Sequence, residues 1–126
     1  MKGVLVDTSV WVAHFRQRND VLANLLDLDL VMVHPLILGE LACGTPPNRL
    51  QTLGDLGSLQ QVQQASVREV IDFIERERLF GLGCGLIDLQ LLASTLLTQG
   101  VALWSMDKRL CTLAERFGVI HQPITH

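Results

Sequence analysis

The 126-residue sequence has few cysteines, and Cys43, Cys84 and Cys111 are too far apart for a paired disulfide framework or a Cys-x-x-Cys metal motif. They are expected to be reduced core thiols. No apolar run reaches the roughly 18 residues that a membrane span needs. The longest candidate, 86–97, is broken by Asp88 and Gln90, so a soluble protein is expected. Met1 and Lys2 lead straight into a short apolar strand, without the apolar stretch and small-residue cleavage site of a signal peptide. A cytoplasmic location is the expectation. Positive charge is also short: 10 Lys and Arg against 13 Asp and Glu leave a net charge of −3. That sign disfavours bulk attraction to nucleic acid, so an RNA substrate would need local arginines or a bound metal.

What the chain does have is apolar mass. At 48% hydrophobic residues it can build one buried core but not two, which predicts a single domain over 1–126. A mean hydropathy of +0.32 implies that some apolar surface is covered by another copy or a partner.

Along the chain, Val4 to Val6 reads as a strand running through Asp7-Thr8-Ser9 into a helix that starts near Val10. Asp20 is placed to cap a helix over 21–26, and 30–33 reads as a buried strand ending before Pro35. Pro35 opens a helix with Glu40 in it, closed by Gly44 and Pro46-Pro47. A loop is expected over 45–58, with a short helix near 50–53, then a weak strand at 59–63. Ser66 and Glu69 have capping-box spacing for a helix over 67–78 with an apolar stripe of Val67, Val70, Ile71 and Ile74. Glycines 81, 83 and 85 form a joint before the helix LIDLQLLASTLL. The strand VALW, Asp107, a helix over 108–117 and a short strand at Val119-Ile120 complete the chain. This alternation predicts an α/β fold, a three-layer α/β/α arrangement around a mostly parallel sheet.

In such a sheet, functional groups gather at the carboxyl ends of strands and the starts of the following helices. Asp7 and Asp107 follow strands, while Glu40 and Asp88 lie on helices that reach the same rim. Glu40 and Asp88 both sit among leucines, where an unpartnered carboxylate would cost several kcal/mol. Four acids at one mouth repel one another unless cations neutralise them, and all-oxygen sites suit Mg²⁺ or Mn²⁺. Such an ion activates water for in-line displacement at phosphorus.

The blocks VLVDTSVWV, GELACG, GLIDLQLLAS and ALWSMDKRL, in this order, resemble the PIN-domain nucleases and among them the VapC-type toxins. The resemblance spans nearly the whole chain. It implies that Asp7 and Asp88 are the chief metal ligands, completed by Glu40 and Asp107, with Thr8, Ser9 and Ser105 in support through hydrogen bonds. It further implies a metal-dependent endoribonuclease of a type II toxin-antitoxin pair, a cognate antitoxin that blocks the site, homodimerisation and an RNA substrate. The stretch 45–64 shows no family motif.

Plainer roles exist for the same residues. Asp7, Ser9 and Asp107 suit helix caps, and Glu40 or Asp88 would also serve in buried ion pairs. Arg16, Arg49, Lys108 and Arg109 suit solvated surface positions as well as RNA phosphates, while Trp11 and Trp104 suit core or interface. His14, His34, His121 and His126 show no ligand spacing and suit packing or surface roles. An aspartate-nucleophile phosphatase needs an acid two residues after the first, where Ser9 stands. A receiver domain needs an adjacent acidic pair that is absent here. A non-catalytic module holding a basic peptide in the acidic mouth is the alternative from another class.

Overall fold

The computed structural model describes residues 2–122, so His126 lies outside the described residues. Their element order is β1 (Gly3–Val6), α1 (Thr8–Arg16), α2 (Asp20–Asp27), β2 (Val31–Val33), α3 (Pro35–Ala42), α4 (Arg49–Gly57), β3 (Gln60–Gln61), α5 (Val67–Glu77), α6 (Leu86–Leu97), β4 (Val101–Trp104) and α7 (Lys108–Arg116). All strand pairs are parallel, in the order β3-β2-β1-β4. This is the expected three-layer α/β/α architecture.

Parallel strands buried on both faces read as continuous apolar runs, and every residue of β1 and β2 is buried. The close approach of those two strands depends on Gly3, where a Cβ would come within 2.7 Å of the Met32 sulfur. β1 pairs with β4 from Gly3↔Val101 to Val6↔Trp104, so the two strands end side by side. That register sets Asp7 next to Ser105. The chain leaves β1 for β2 and β3 on one side and returns to β4 on the other, which opens a crevice at their carboxyl ends.

Helix ends follow local chemistry. Pro35 starts α3, whose N-cap His34 accepts a hydrogen bond from Leu36 N at Nδ1 (3.0 Å). Burial pushes the His34 pKa down and keeps the ring neutral. The Ser66–Glu69 capping box is present at α5, and α6 spans the expected twelve residues.

Other boundaries depart from expectation. α1 begins at Thr8 rather than near Val10, and the cap of α2 is Asn19, whose side chain accepts from Leu22 N. The short helix expected near 50–53 within a 45–58 loop is the nine-residue α4, which runs through Gly54 to Gly57. Tertiary anchors outweigh the glycine cost: Arg49 donates to the carbonyls of Ala42 and Gly44, and Thr52 to that of Pro47. On α5 the buried residues are Val70 and Phe73, whereas Val67 and Ile71 are exposed. The last strand is a single parallel bridge, Leu103↔Ile120. The cysteines are free but not core: Cys43 is exposed and the other two are half-buried. Trp11 and Trp104 are buried.

Candidate active site

Asp7 stands at the N-cap position of α1, yet its side chain makes no capping hydrogen bond. It is buried, and its Oδ2 accepts from Ser9 Oγ (2.9 Å) and from Ser105 Oγ (2.8 Å). Ser9 Oγ in turn accepts from Met106 N (3.1 Å), and Ser105 Oγ from Asp107 N (3.0 Å). The segments after β1 and β4 are therefore stitched together through two hydroxyls and one carboxylate, and Asp7 N donates to Trp104 O (2.9 Å) beneath them. A one-residue slip in the β1–β4 register would break the set.

Asp107 does serve as a cap: its Oδ1 accepts from Arg109 N (2.9 Å) and Leu110 N (3.0 Å) at the start of α7. Glu40 lies on α3, whose buried residues are Ile37 and Leu41. The carboxylate falls outside that stripe and is exposed, contrary to what its leucine-rich neighbours imply. Thr8 Oγ1, at the start of α1, donates to Glu40 Oε1 (2.8 Å). Asp88 is the third residue of α6 and half-buried.

Asp88 senses the other three acids. Burial raises the Asp88 pKa, the charges of Asp7, Asp107 and Glu40 raise it further, and a hydrogen bond with the Gly85 backbone opposes them. Burial likewise pushes up the Cys84 thiol, helped by Asp88 and Asp107, and the Cys111 thiol, helped by Asp107 and Asp7. The ion pairs among the described residues engage Asp20, Asp72 and Glu77, and none engages the four acids of the mouth. A buried ion pair, the plainer role for Glu40 and Asp88, does not occur there.

Each of three carboxylates uses one oxygen for tethering. Asp7 Oδ1, Glu40 Oε2 and Asp107 Oδ2 have no hydrogen-bond partner among the described residues. This leaves hard oxygen donors with uncompensated charge, a chemistry that suits a divalent cation. The side chains are not gathered into a finished cage: among the described residues, no group of three or more His, Cys, Asp or Glu stands close enough to hold an ion.

Of the basic residues, Arg49 is committed to carbonyls at the end of α3, and Arg109 lies along Gly83, donating to its carbonyl at 3.4 Å. A Cβ at Gly83 (φ +86) would fall 2.7 Å from the Arg109 Cδ. Arg16 instead borders a cleft of about 410 Å³ that also reaches Thr8 and Glu40. No motif in the sequence announces that cleft, because α1, α3 and the Gly44–Pro47 turn build it only by packing.

No protein-family model matches the chain. Two curated relatives do: Ribonuclease VapC32 from Mycobacterium tuberculosis strains CDC 1551 / Oshkosh and ATCC 25618 / H37Rv. Each is 40% identical over 116 residues, covering 92% of this chain and 94% of the relative.

Proposed function

The chain belongs to the VapC-type ribonucleases of the PIN-domain family, and from that premise we propose that Asp7, Glu40, Asp88 and Asp107 together bind Mg²⁺ or Mn²⁺ for endonucleolytic hydrolysis of RNA. The protein is a ribonuclease, the toxin of a toxin-antitoxin system. The observation that carries the metal assignment is the three tethered carboxylates Asp7, Glu40 and Asp107, each with one oxygen engaged and one unengaged, on a mouth without an ion-paired cation.

In this reading Ser9 and Ser105 fix the rotamer of Asp7, the α7 amides fix Asp107, and Thr8 fixes Glu40. Asp88, held on the first turns of α6, closes the set from the opposite helix. When bound, the ion supplies activation of a water and neutralises charge on the phosphate. Hydrolysis places the water oxygen on phosphorus, breaks one P–O ester bond and leaves a proton on the departing oxygen. Burial and then the charges of the neighbouring acids raise the Asp88 pKa, and a cation at this mouth would relieve the repulsion.

The substrate is RNA and the partner a cognate antitoxin that covers the mouth. We place the protein in the cytoplasm; among the described residues no helix is long and apolar enough to cross a membrane. We also propose that the whole chain is one nuclease domain and forms a homodimer. Exposed Val67 and Ile71 of α5 and Leu96 and Leu97 of α6 are apolar surface of the kind a second copy covers. Light scattering should return twice the 14.0 kDa chain mass, and a monomer at micromolar concentration would contradict this.

The ribonuclease reading is tested by incubating purified, antitoxin-free protein with total cellular RNA. Discrete fragments are expected with Mg²⁺ or Mn²⁺ and none with EDTA. Equal cleavage in EDTA would sink the metal assignment, and no cleavage by folded protein would favour a binding module.

A further inference from the structure

The cleft of about 410 Å³ beside Glu40 is not needed to hold a metal, yet it is continuous with the acidic mouth through Thr8 and Glu40. Its size falls in the range of small-ligand sites, roughly 300–1,000 Å³. Val12, Phe15, Leu41, Pro46 and Pro47 give it apolar walls. Those walls are held in place. Phe15 stacks on buried Trp11, with ring centroids 6.0 Å apart. The Gly44–Pro47 turn is fastened at Gly44 by Arg49 Nε (3.2 Å) and at Pro47 by the Thr52 hydroxyl. Arg16 is an exposed cation at the rim without an ion-pair partner among the described residues.

We propose that this cleft is a base-recognition subsite that seats one unpaired nucleobase of the RNA beside the scissile phosphate, with Arg16 against the adjoining backbone phosphate. The inference rests on the ribonuclease reading of the same mouth. Three features favour this occupant. A small apolar recess with an aromatic wall accepts the face of an unstacked base, the form in which proteins read RNA sequence. An unpaired guanidinium lining the cleft matches a phosphodiester. The recess opens directly onto Glu40, so a base seated there belongs to a nucleotide next to the bond being cut. It also places substrate choice at Thr45 to Pro47, at the start of the stretch that lacks a family motif.

The test is to sequence the cut ends from a randomised single-stranded RNA library treated with wild type, Arg16→Gln and Thr45→Trp. Both positions are exposed, so neither change should disturb the core. Wild type should show a base preference at one position beside the cut; Thr45→Trp should lose about tenfold of it while total cleavage of the library persists, and Arg16→Gln should lower cleavage of all sequences together, because a phosphate contact carries no base information. Unchanged preference in active Thr45→Trp overturns the subsite, undiminished cleavage by Arg16→Gln overturns the phosphate contact, and either leaves the nuclease intact. A Thr45→Trp protein that keeps the preference but escapes inhibition by antitoxin shows instead that the cleft seats the protein partner. Failure of folded wild type to cut the library at all defeats the ribonuclease reading, and this inference with it.

Discussion

Asp88→Asn should lower RNA cleavage by at least about 100-fold and, in EDTA at neutral pH, raise the melting temperature of the protein. The two effects share one origin. Asp88 is half-buried at a mouth with three other carboxylates and has no cationic partner among the described residues. Asparagine keeps the shape but removes the charge that a metal needs and that the metal-free fold tolerates at a cost. The pH dependence has a definite sign. Burial and the neighbouring acids hold the folded pKa above the unfolded value, so folding favours the protonated carboxyl. Its stabilising contribution is fully present below the unfolded pKa and is lost as pH rises through the folded one. The variant's advantage should therefore be largest at neutral pH and shrink as pH falls into the carboxylate range. Paired thermal melts in EDTA across that range check this. A variant less stable than wild type at neutral pH would contradict the repulsion account.

Ser105→Ala should cost about 10- to 100-fold in cleavage with the fold retained, the range for groups that orient a metal ligand. Ser105 is buried and works in two directions: its hydroxyl donates to Asp7 Oδ2 (2.8 Å) and accepts from Asp107 N (3.0 Å). Removing it loosens both an acid after β1 and the turn after β4. Because the loss is one of positioning, raising Mn²⁺ should recover part of the activity, and Ser105→Thr, which keeps the hydroxyl, should recover more. Ser9→Ala should cost less, since Ser105 still holds the same oxygen of Asp7. Activity of Ser105→Ala equal to wild type at limiting metal would show that the tether does not matter.

Much of this framework was legible from residue order. The apolar run before Asp7, the VALW strand and the twelve residues of α6 are strongly patterned segments, and all three fall where the pattern puts them. The hydroxyls of Thr8, Ser9 and Ser105 entered only through the family resemblance, since two of their three hydrogen bonds to acids join segments far apart in sequence. Local reading fails where tertiary contacts decide. α4 contains two glycines, so the local pattern marks only a short helix near 50–53; the anchors that hold the full nine residues lie on α3 and the preceding segment. Glu40 looked buried because its neighbours in sequence are apolar, whereas exposure depends on where position 40 falls around α3. The cleft at Phe15 and Arg16 left no linear signature, since its walls come from three separate segments.

The central claim is that four carboxylates from separate elements act as one divalent-cation site that drives RNA cleavage. Its most direct test is Mn²⁺ binding, followed by electron paramagnetic resonance, on wild type, Asp7→Asn and Asp88→Asn, with RNA cleavage measured on the same samples. The account predicts saturable binding by wild type and a joint loss of binding and cleavage in both variants, and wild-type cleavage by either variant after its Mn²⁺ binding is lost would contradict it.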